Sequence, residues 1–466
     1  MRRFFLSVLF VLAAALLHGE TADWILTAKY VVTMDGARGL IENGAVAVRG
    51  DRIVGVGPAA EIQKKFTAPH RLNRPNAILM PGLINAHTHA AMSLFRGIAD
   101  DLRLQDWLEH YIFPAEARNV SSDFVYWGTK LTCLEMMLSG TTTFVDMYYF
   151  EERAAEATRE AGMRGVLGET VIGFPSPDAK TPRDALARTE RLLTRFKNDP
   201  LIVPAVAPHA LYTNSPETLK AARALANRYM APLVIHLAET KKENEDSRAK
   251  YGMSATEFLD SIGLFKGRTI AAHGVWLDDS DINVLRERGA AGNQIGIAHC
   301  PSSNMKLASG IAPVVKLLRA GVPVGLGTDG PAGSNNDFDL MEEMNLAANL
   351  QKVATGDPQV LPAKQAIEMA TILGAKAIGM EKEIGSLEKG KRADLITIRI
   401  DRPNAVPLYN VYSQIVYALK GCDVEDVMVN GRPIVREGRP LTLDEAAILA
   451  VAHRYQKQVS SSLKKE

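Results

Sequence analysis

The sequence predicts a (β/α)8, TIM-type barrel, because strand-like and helix-like segments alternate through the middle of the chain. Between residues 78 and 330, short runs rich in apolar and β-branched residues alternate with segments of helical periodicity. This alternation is typical of a parallel sheet whose strands are each followed by a helix. Eight runs occur, the strand number of such a barrel. They cover residues 78–85, 142–145, 165–168, 202–207, 233–235, 269–272, 295–298 and 322–328.

The segments between these runs carry the signals of amphipathic helices. After the first run, Ser121 precedes a stretch from Phe124 to Leu138 in which apolar residues recur at three- and four-residue steps, and Gly140 follows. A serine cap, an apolar stripe and a terminal glycine are the start, body and end of a helix. Similar patterns predict helices over residues 216–229, 256–264 and 314–320.

The two flanks of the barrel predict a small β-sandwich domain. Residues 21–80 and 384–440 contain short strand-like segments separated by glycine and aspartate. Neither flank is large enough to form its own core, so we expect both to join in one domain. The predicted barrel domain then covers residues 81–383, and residues 441–466 form a C-terminal helix and tail.

The composition indicates a large globular protein without a polyanionic partner. The chain has 466 residues, of which 47% are apolar and 23% are charged, enough for a sizeable core. Its 54 basic and 53 acidic residues nearly cancel, so nucleic-acid binding is not expected. Whether the protein forms a homo-oligomer stays open.

The N-terminus has the residue order of a secretory signal peptide. Met1, Arg2 and Arg3 precede an uncharged apolar run over residues 4–17. This run is shorter than the roughly 20 residues that span a bilayer, so no permanent membrane span is expected. Residues 1–20 therefore predict an exported protein, periplasmic or secreted. The export route stays open between the general secretory and the twin-arginine pathway. An uncleaved anchor also stays open, as does a cytoplasmic protein if the segment is not a functional signal.

Histidine and acidic residues lie where the predicted barrel strands end. Six of the ten histidines are at these positions, and barrel enzymes build their active sites there. His87 and His89 are two residues apart, so a strand presents both on one face. Together with His236 they supply three nitrogen ligands, and Asp329 supplies a carboxylate. This set predicts a catalytic zinc site with an open position for water; iron and manganese stay open.

Glu239 and His273 are predicted to act beside the metal. Glu239 lies three residues after His236, so the chain must turn after the strand for its carboxylate to face the metal. It would then shuttle protons; the alternative is a solvated charge at a helix start. His273 is predicted to hydrogen-bond a metal-bound hydroxide or an oxyanion.

The chain resembles the amidohydrolase superfamily over residues 24–440. The motifs that carry this resemblance are residues 81–89, 236–239, 272–273, 327–330 and 385–395. Within the superfamily it is most similar to the 5′-methylthioadenosine/S-adenosylhomocysteine deaminases. That closer similarity rests on residues 96–102, 107–108, 113–116, 207–209 and 301–307.

The resemblance implies zinc-dependent hydrolytic deamination of an adenosine-type nucleoside, a small-molecule substrate. It implies that Glu116 accepts a hydrogen bond from a ribose hydroxyl and that His209 contacts the purine or the ribose. Because His209 occupies the position of a bridging carboxylated lysine, one metal ion per chain is implied. Asp329 would act as ligand and base, and Glu239 would protonate the ring nitrogen.

One departure from the family leaves the substrate open. Family members that bind a homocysteine carboxylate carry arginines near the end of the third strand, where this chain has Glu169. Arg183 is a candidate replacement. Hydrolysis of another heterocycle, such as guanine or a chlorinated triazine, is the alternative. A non-catalytic barrel used for binding or assembly is less favoured, because the metal ligands and Glu239 are all present.

Overall fold

The structure, a computed structural model, describes residues 19–463; most of the predicted signal peptide, residues 1–18, lies outside the described residues. A closed barrel of eight parallel strands forms its centre, and the strands follow chain order around it. Each predicted run overlaps one strand of this barrel, so the barrel prediction is confirmed. The strands are Leu83–Thr88, Thr141–Tyr148, Arg164–Val171, Ile202–Pro208, Leu233–Leu237, Thr269–His273, Ile295–His299 and Val324–Leu326.

The first predicted run, residues 78–85, is divided between two sheets. Strand His70–Pro81 belongs to the small domain, and the first barrel strand, Leu83–Thr88, begins after Gly82. A Cβ atom on Gly82 would lie 2.2 Å from Thr142 Cγ2, so the crossing point requires glycine. Apolar composition did not reveal the break because the residues on both sides of it are buried.

Helices surround the barrel and agree with the predicted segments. Ser121 caps its helix by accepting a hydrogen bond from the Phe124 amide. The larger helices are Ser122–Leu138, Glu151–Ala161, Pro182–Arg195, Pro216–Tyr229, Lys241–Tyr251, Asp279–Ala290, Leu340–Thr355 and Glu445–Leu463. Shorter helical segments are Ala59–Lys65, Ala90–Phe95, Leu104–Asp106, Trp107–Ile112, Phe113–Asn119, Ala255–Ser261, Pro301–Lys306, Val314–Arg319, Ala363–Ala370, Ile372–Ala377, Pro403–Ala405, Val411–Tyr417 and Gly421–Asp423. Among residues 19–463, no helix combines the length and apolarity needed to cross a bilayer.

Strands from both chain ends form the small domain, as predicted. His70–Pro81 pairs in parallel with Trp24–Val32 and antiparallel with Leu395–Arg399, which joins the two flanks. Hydrogen bonding links these strands into one eight-stranded sheet. Its strand order is Arg439–Pro440, Arg432–Arg436, Val424–Val429, Leu395–Arg399, His70–Pro81, Trp24–Val32, Leu40–Arg49 and Arg52–Pro58.

A separate two-stranded sheet lies at the start of the described chain. Glu20–Thr21 pairs with Phe66–Thr67 in parallel. The predicted boundary at residue 20 therefore falls inside a strand.

The inside of the barrel is a packed apolar core. Side chains from successive barrel strands, including Ile84, Val145, Val166, Val234 and Ile270, form one buried cluster. A second, larger cluster fills the layer between the barrel and its helices. Because the interior is filled, a binding site can form only at the strand ends.

Candidate active site

Five predicted site residues converge at the C-terminal ends of the barrel strands. Ligating atoms of His87, His236, His273 and Asp329 all lie within 4.8 Å of one another. His89 lies beside them, with its Nε2 atom 3.3 Å from both Asp329 Oδ1 and His236 Nε2. The barrel thus brings together the four predicted ligands and adds His273 to the same cluster.

Left-handed backbone conformations direct three of the loops that build this cluster. Ala238, His273 and Asp329 have φ values of +48°, +71° and +63°. Such conformations cost a non-glycine residue about 1–3 kcal/mol each and concentrate at functional sites. At Ala238 the conformation supplies the turn that the sequence required between His236 and Glu239.

The donor set fits a divalent metal ion. His87 is fully buried, and neither of its ring nitrogens has a hydrogen-bond partner among the described residues. Buried polar atoms are normally hydrogen-bonded, so the two unpartnered ring nitrogens of His87 indicate that this imidazole binds a metal ion. Burial lowers the pKa of His87 to about 4, which favours the neutral form that binds metals. Three or four imidazoles and one carboxylate are a zinc donor set.

Hydrogen bonds around the cluster orient the ligating atoms. The Nδ1 atoms of His89 and His236 lie 2.7 and 2.8 Å from the carbonyl oxygens of Met147 and His209. Since a carbonyl oxygen only accepts, each Nδ1 carries the proton and each Nε2 presents a lone pair to the cluster.

The two oxygens of the Asp329 carboxylate contact different groups. The Ser303 hydroxyl donates to its Oδ2 at 2.7 Å, and its Oδ1 lies 3.4 Å from His87 Nε2. Burial acts to raise the pKa of Asp329, but the His87 and His89 imidazoles that face its carboxylate hold it well below the ordinary value. The carboxylate is therefore ionised and faces the cluster through Oδ1.

Glu239 and His273 lie next to each other at the edge of the cluster. Glu239 Oε1 is 3.9 Å from His273 Nε2, and His273 Nδ1 is 3.0 Å from Asn304 Oδ1. Glu239 is only 3% exposed, so the alternative of a solvated helix-start charge is wrong. Burial raises the pKa of Glu239, as expected of a carboxyl that holds and releases a proton.

A cavity opens next to these residues. Residues 104–113 form an apolar wall of the cavity, and the wall at the metal cluster carries titratable side chains. The apolar side consists of Leu104, Trp107, Leu108, Ile112 and Phe113.

Glu116 and His209 also line the cavity, as the resemblance implied. The Tyr148 hydroxyl donates to Glu116 Oε1 at 2.6 Å, and burial raises the pKa of Glu116 to about 7. The His209 ring is tied by Nδ1 to the Thr213 hydroxyl at 3.0 Å. Sequence reasoning missed Tyr148. Its position at the end of the second barrel strand was the available signal, but a tyrosine in an apolar run also fits a core.

Glu169 and Arg183, the two positions considered for recognition of an amino-acid tail, do not line the cavity. Glu169 accepts hydrogen bonds from the Glu151 amide and from Arg188 Nε, both at 2.9 Å, in a buried ionic cluster. Arg183 is exposed on a surface helix and borders a different groove, with Arg228. Arg183, the candidate replacement for the family's arginines, therefore does not line the cavity.

Comparison with known proteins agrees with this geometry. A profile of the amidohydrolase family matches residues 78–434, and one of a bacterial imidazolonepropionase-like composite domain matches residues 44–67. A 5-methylthioadenosine/S-adenosylhomocysteine deaminase from Syntrophus aciditrophicus is 47% identical over 96% of this chain and 99% of its own. A 5′-deoxyadenosine deaminase from Methanosarcina acetivorans is 43% identical over 92% of this chain and 97% of its own.

Solved structures share the whole fold. The crystal structure of an adenosine deaminase from Xanthomonas campestris with bound zinc is 38% identical and has a TM-score of 0.92, covering 95% of this chain and 100% of that one. Because the family profile and the relatives cover most of the chain, and because the barrel places the cluster at its strand ends, the chain belongs to the amidohydrolase family.

Proposed function

We propose that the protein is a zinc-dependent aminohydrolase that converts an adenosine-type nucleoside to its inosine analogue and ammonia. The observation that carries this proposal is one cavity that joins the metal cluster, the buried Glu239 and the Glu116 carboxylate. The relatives named as deaminases of adenosine nucleosides support the same reaction. The triazine hydrolase structures are 22–23% identical and support the shared fold alone.

The proposed roles follow from the positions of the side chains. His87, His89, His236 and Asp329 would hold the zinc ion, which when bound makes a water acidic enough to ionise near neutral pH. Asp329 accepts the proton of the attacking water. Glu239 delivers a proton to the ring nitrogen next to the amine-bearing carbon, and His273 stabilises the developing oxygen charge. The water oxygen bonds to the amine-bearing carbon as these protons move. The amino group then takes up the proton held by Asp329, the C–N bond breaks and ammonia leaves, and the new hydroxyl returns a proton to Glu239.

Glu116 is proposed to bind the ribose hydroxyls. Because the pKa of Glu116 is raised to about 7, the carboxylate is a strong charged acceptor above that pH and is protonated below it. We expect KM for a ribonucleoside to rise as the pH falls through about 7. Glu116→Gln should raise KM about 10- to 100-fold at pH 8 and remove this pH dependence. Steady-state kinetics across pH test this, and a pH-dependent KM in the variant would contradict it.

The apolar side of the cavity is proposed to receive a short, uncharged 5′ group. No lysine or arginine is among the described residues that line the cavity. Two cations on neighbouring segments are already paired, Arg188 with Glu169 and Asp178, and Lys306 with Asp100. A homocysteine carboxylate would enter this cavity without a partner, which costs about 2 kcal/mol or more.

A substrate comparison tests both the reaction and this preference. We expect kcat/KM for 5′-methylthioadenosine to exceed that for S-adenosylhomocysteine by at least about 30-fold. The matched control is 5′-butylthioadenosine, which is similar in length but lacks the amino-acid group and should be deaminated well. Equal rates with S-adenosylhomocysteine would contradict the preference. Turnover of guanine or a chlorinated triazine, with none of any adenosine nucleoside, would overturn the proposed function.

We also propose that the protein is exported. The support is the basic start, Arg2 and Arg3, followed by the apolar run over residues 4–17. Cell fractionation followed by N-terminal sequencing tests this proposal. A mature chain that lacks the apolar run and lies outside the cytoplasm is expected, and an intact Met1 on a cytoplasmic protein would overturn it.

A further inference from the structure

The C-terminal helix, Glu445–Leu463, packs against the segments that carry two site residues. It contacts helix Phe113–Asn119, which bears Glu116, and turn Ala90–Phe95, which directly follows His89. It also lies along helix Ser122–Leu138. Its buried face consists of Ile448, Tyr455 and Val459, and the Tyr455 ring lies 5.3 Å from that of Phe124.

A polar link joins the C-terminal helix to the helix of Glu116. The buried Asn119 side-chain amide donates to the Ser462 hydroxyl at 2.8 Å and to the Ala115 carbonyl at 2.9 Å. The Ser462 hydroxyl in turn donates to the Val459 carbonyl at 2.8 Å, so its oxygen keeps a lone pair that accepts from Asn119. Asn119 thus connects the two helices one turn beyond Glu116.

Helix Phe113–Asn119 needs such support. It has seven residues and follows a π-helical segment, Trp107–Ile112, so its own hydrogen bonds cannot hold it in one place. Isolated helices of this length are unstable in water, and their position is set by tertiary contacts. A displacement of about 1 Å would move Glu116 out of hydrogen-bond range of a bound ribose.

We propose that Asn119 is a positioning residue for nucleoside binding, and that the C-terminal helix holds it in place through Ser462. This inference rests on the proposed function, in which Glu116 binds the ribose. Loss of the link should weaken ribose recognition, because Glu116 loses its fixed position. The rate of the chemical step should change little, since Glu239 and the metal cluster belong to other strand ends.

The test compares two nucleosides in Ser462→Ala and Asn119→Leu. With adenosine, we expect KM to rise about 3- to 10-fold in each variant, with kcat within about twofold of the wild-type value. With 2′,3′-dideoxyadenosine, which lacks the hydroxyls that Glu116 would bind, the variants and the wild type should have the same KM. The double variant should be no worse than Asn119→Leu, because both changes break one link.

Two controls separate positioning from general stability. Ser461→Ala removes the neighbouring exposed hydroxyl, which donates to Lys457 within the helix, and should leave KM unchanged. Ser462→Thr keeps the hydroxyl and should restore the wild-type KM. Equal KM changes with both nucleosides, or no change with adenosine, would overturn the positioning role while the proposed function stands. A wild-type protein that deaminates no adenosine nucleoside would instead overturn the proposed function, and this inference with it.

Discussion

Replacing Glu239 with glutamine is expected to lower kcat by about 10²- to 10⁴-fold while zinc stays bound. Glutamine has nearly the same size as glutamate but cannot carry a proton to the ring nitrogen. The buried carboxyl of Glu239 lies 3.9 Å from His273, whereas the neighbouring Glu243 carboxyl is engaged by the Glu239 backbone amide at 2.9 Å. The measurement is the ultraviolet change as adenine becomes hypoxanthine, together with zinc content.

A matched control for this variant lies on the following helix. Glu245 is exposed and pairs with Lys241 at 3.0 Å, so Glu245→Gln should retain wild-type kcat. If Glu239→Gln turned over substrate at the wild-type rate with full zinc content, Glu239 would have no part in proton transfer.

The second prediction with a large expected effect concerns which of two histidines, His89 or His273, binds the metal. Geometry alone groups His273 with His87, His236 and Asp329, whereas the sequence predicts His89 as the third imidazole ligand. We favour His89, because its Nδ1 proton is bound to a carbonyl and its Nε2 lies 3.3 Å from both Asp329 and His236.

His89→Ala is therefore expected to lose stoichiometric zinc on dialysis, and activity with it. His273→Ala is expected to keep zinc but to lose about 10²- to 10³-fold in kcat, because a group that stabilises the developing oxygen charge is removed. Elemental analysis of the dialysed proteins measures the difference. His110→Ala, at a histidine whose side chain is 67% exposed, should keep both zinc and activity. The reverse pattern of zinc loss would make His273 the ligand and His89 the auxiliary group.

Local pattern predicted the barrel well because strand and helix periodicities are properties of short segments. Its failure at residues 78–85 has the same origin. Residues 77–81, which end strand His70–Pro81, are buried like the barrel strand after Gly82, so composition could not reveal that the two belong to different sheets. The small domain showed the same limit. The contribution of both chain ends to it was predictable, but the pairing of its strands into one sheet was not.

The walls of the cavity were harder to predict than the metal ligands. Trp107 donates from its indole nitrogen to the Ala332 carbonyl at 2.8 Å, a contact between residues far apart in the chain. Tyr148 reaches Glu116 in the same way. Aromatic residues in apolar stretches look like core from sequence alone, because their role depends on which loops meet above the barrel.

The sequence by itself determined the barrel, the positions of His87, His89, His236 and Asp329 at strand ends, and the family. Histidine and aspartate are rare in apolar runs, so their recurrence at strand ends is informative without coordinates. Only the tertiary structure decided that His273 joins the cluster and that Glu239 is buried beside it. It also decided that, among the described residues, no lysine or arginine lines the cavity. Those outcomes depend on left-handed turns after the strands and on barrel closure, which set distances between residues remote in sequence.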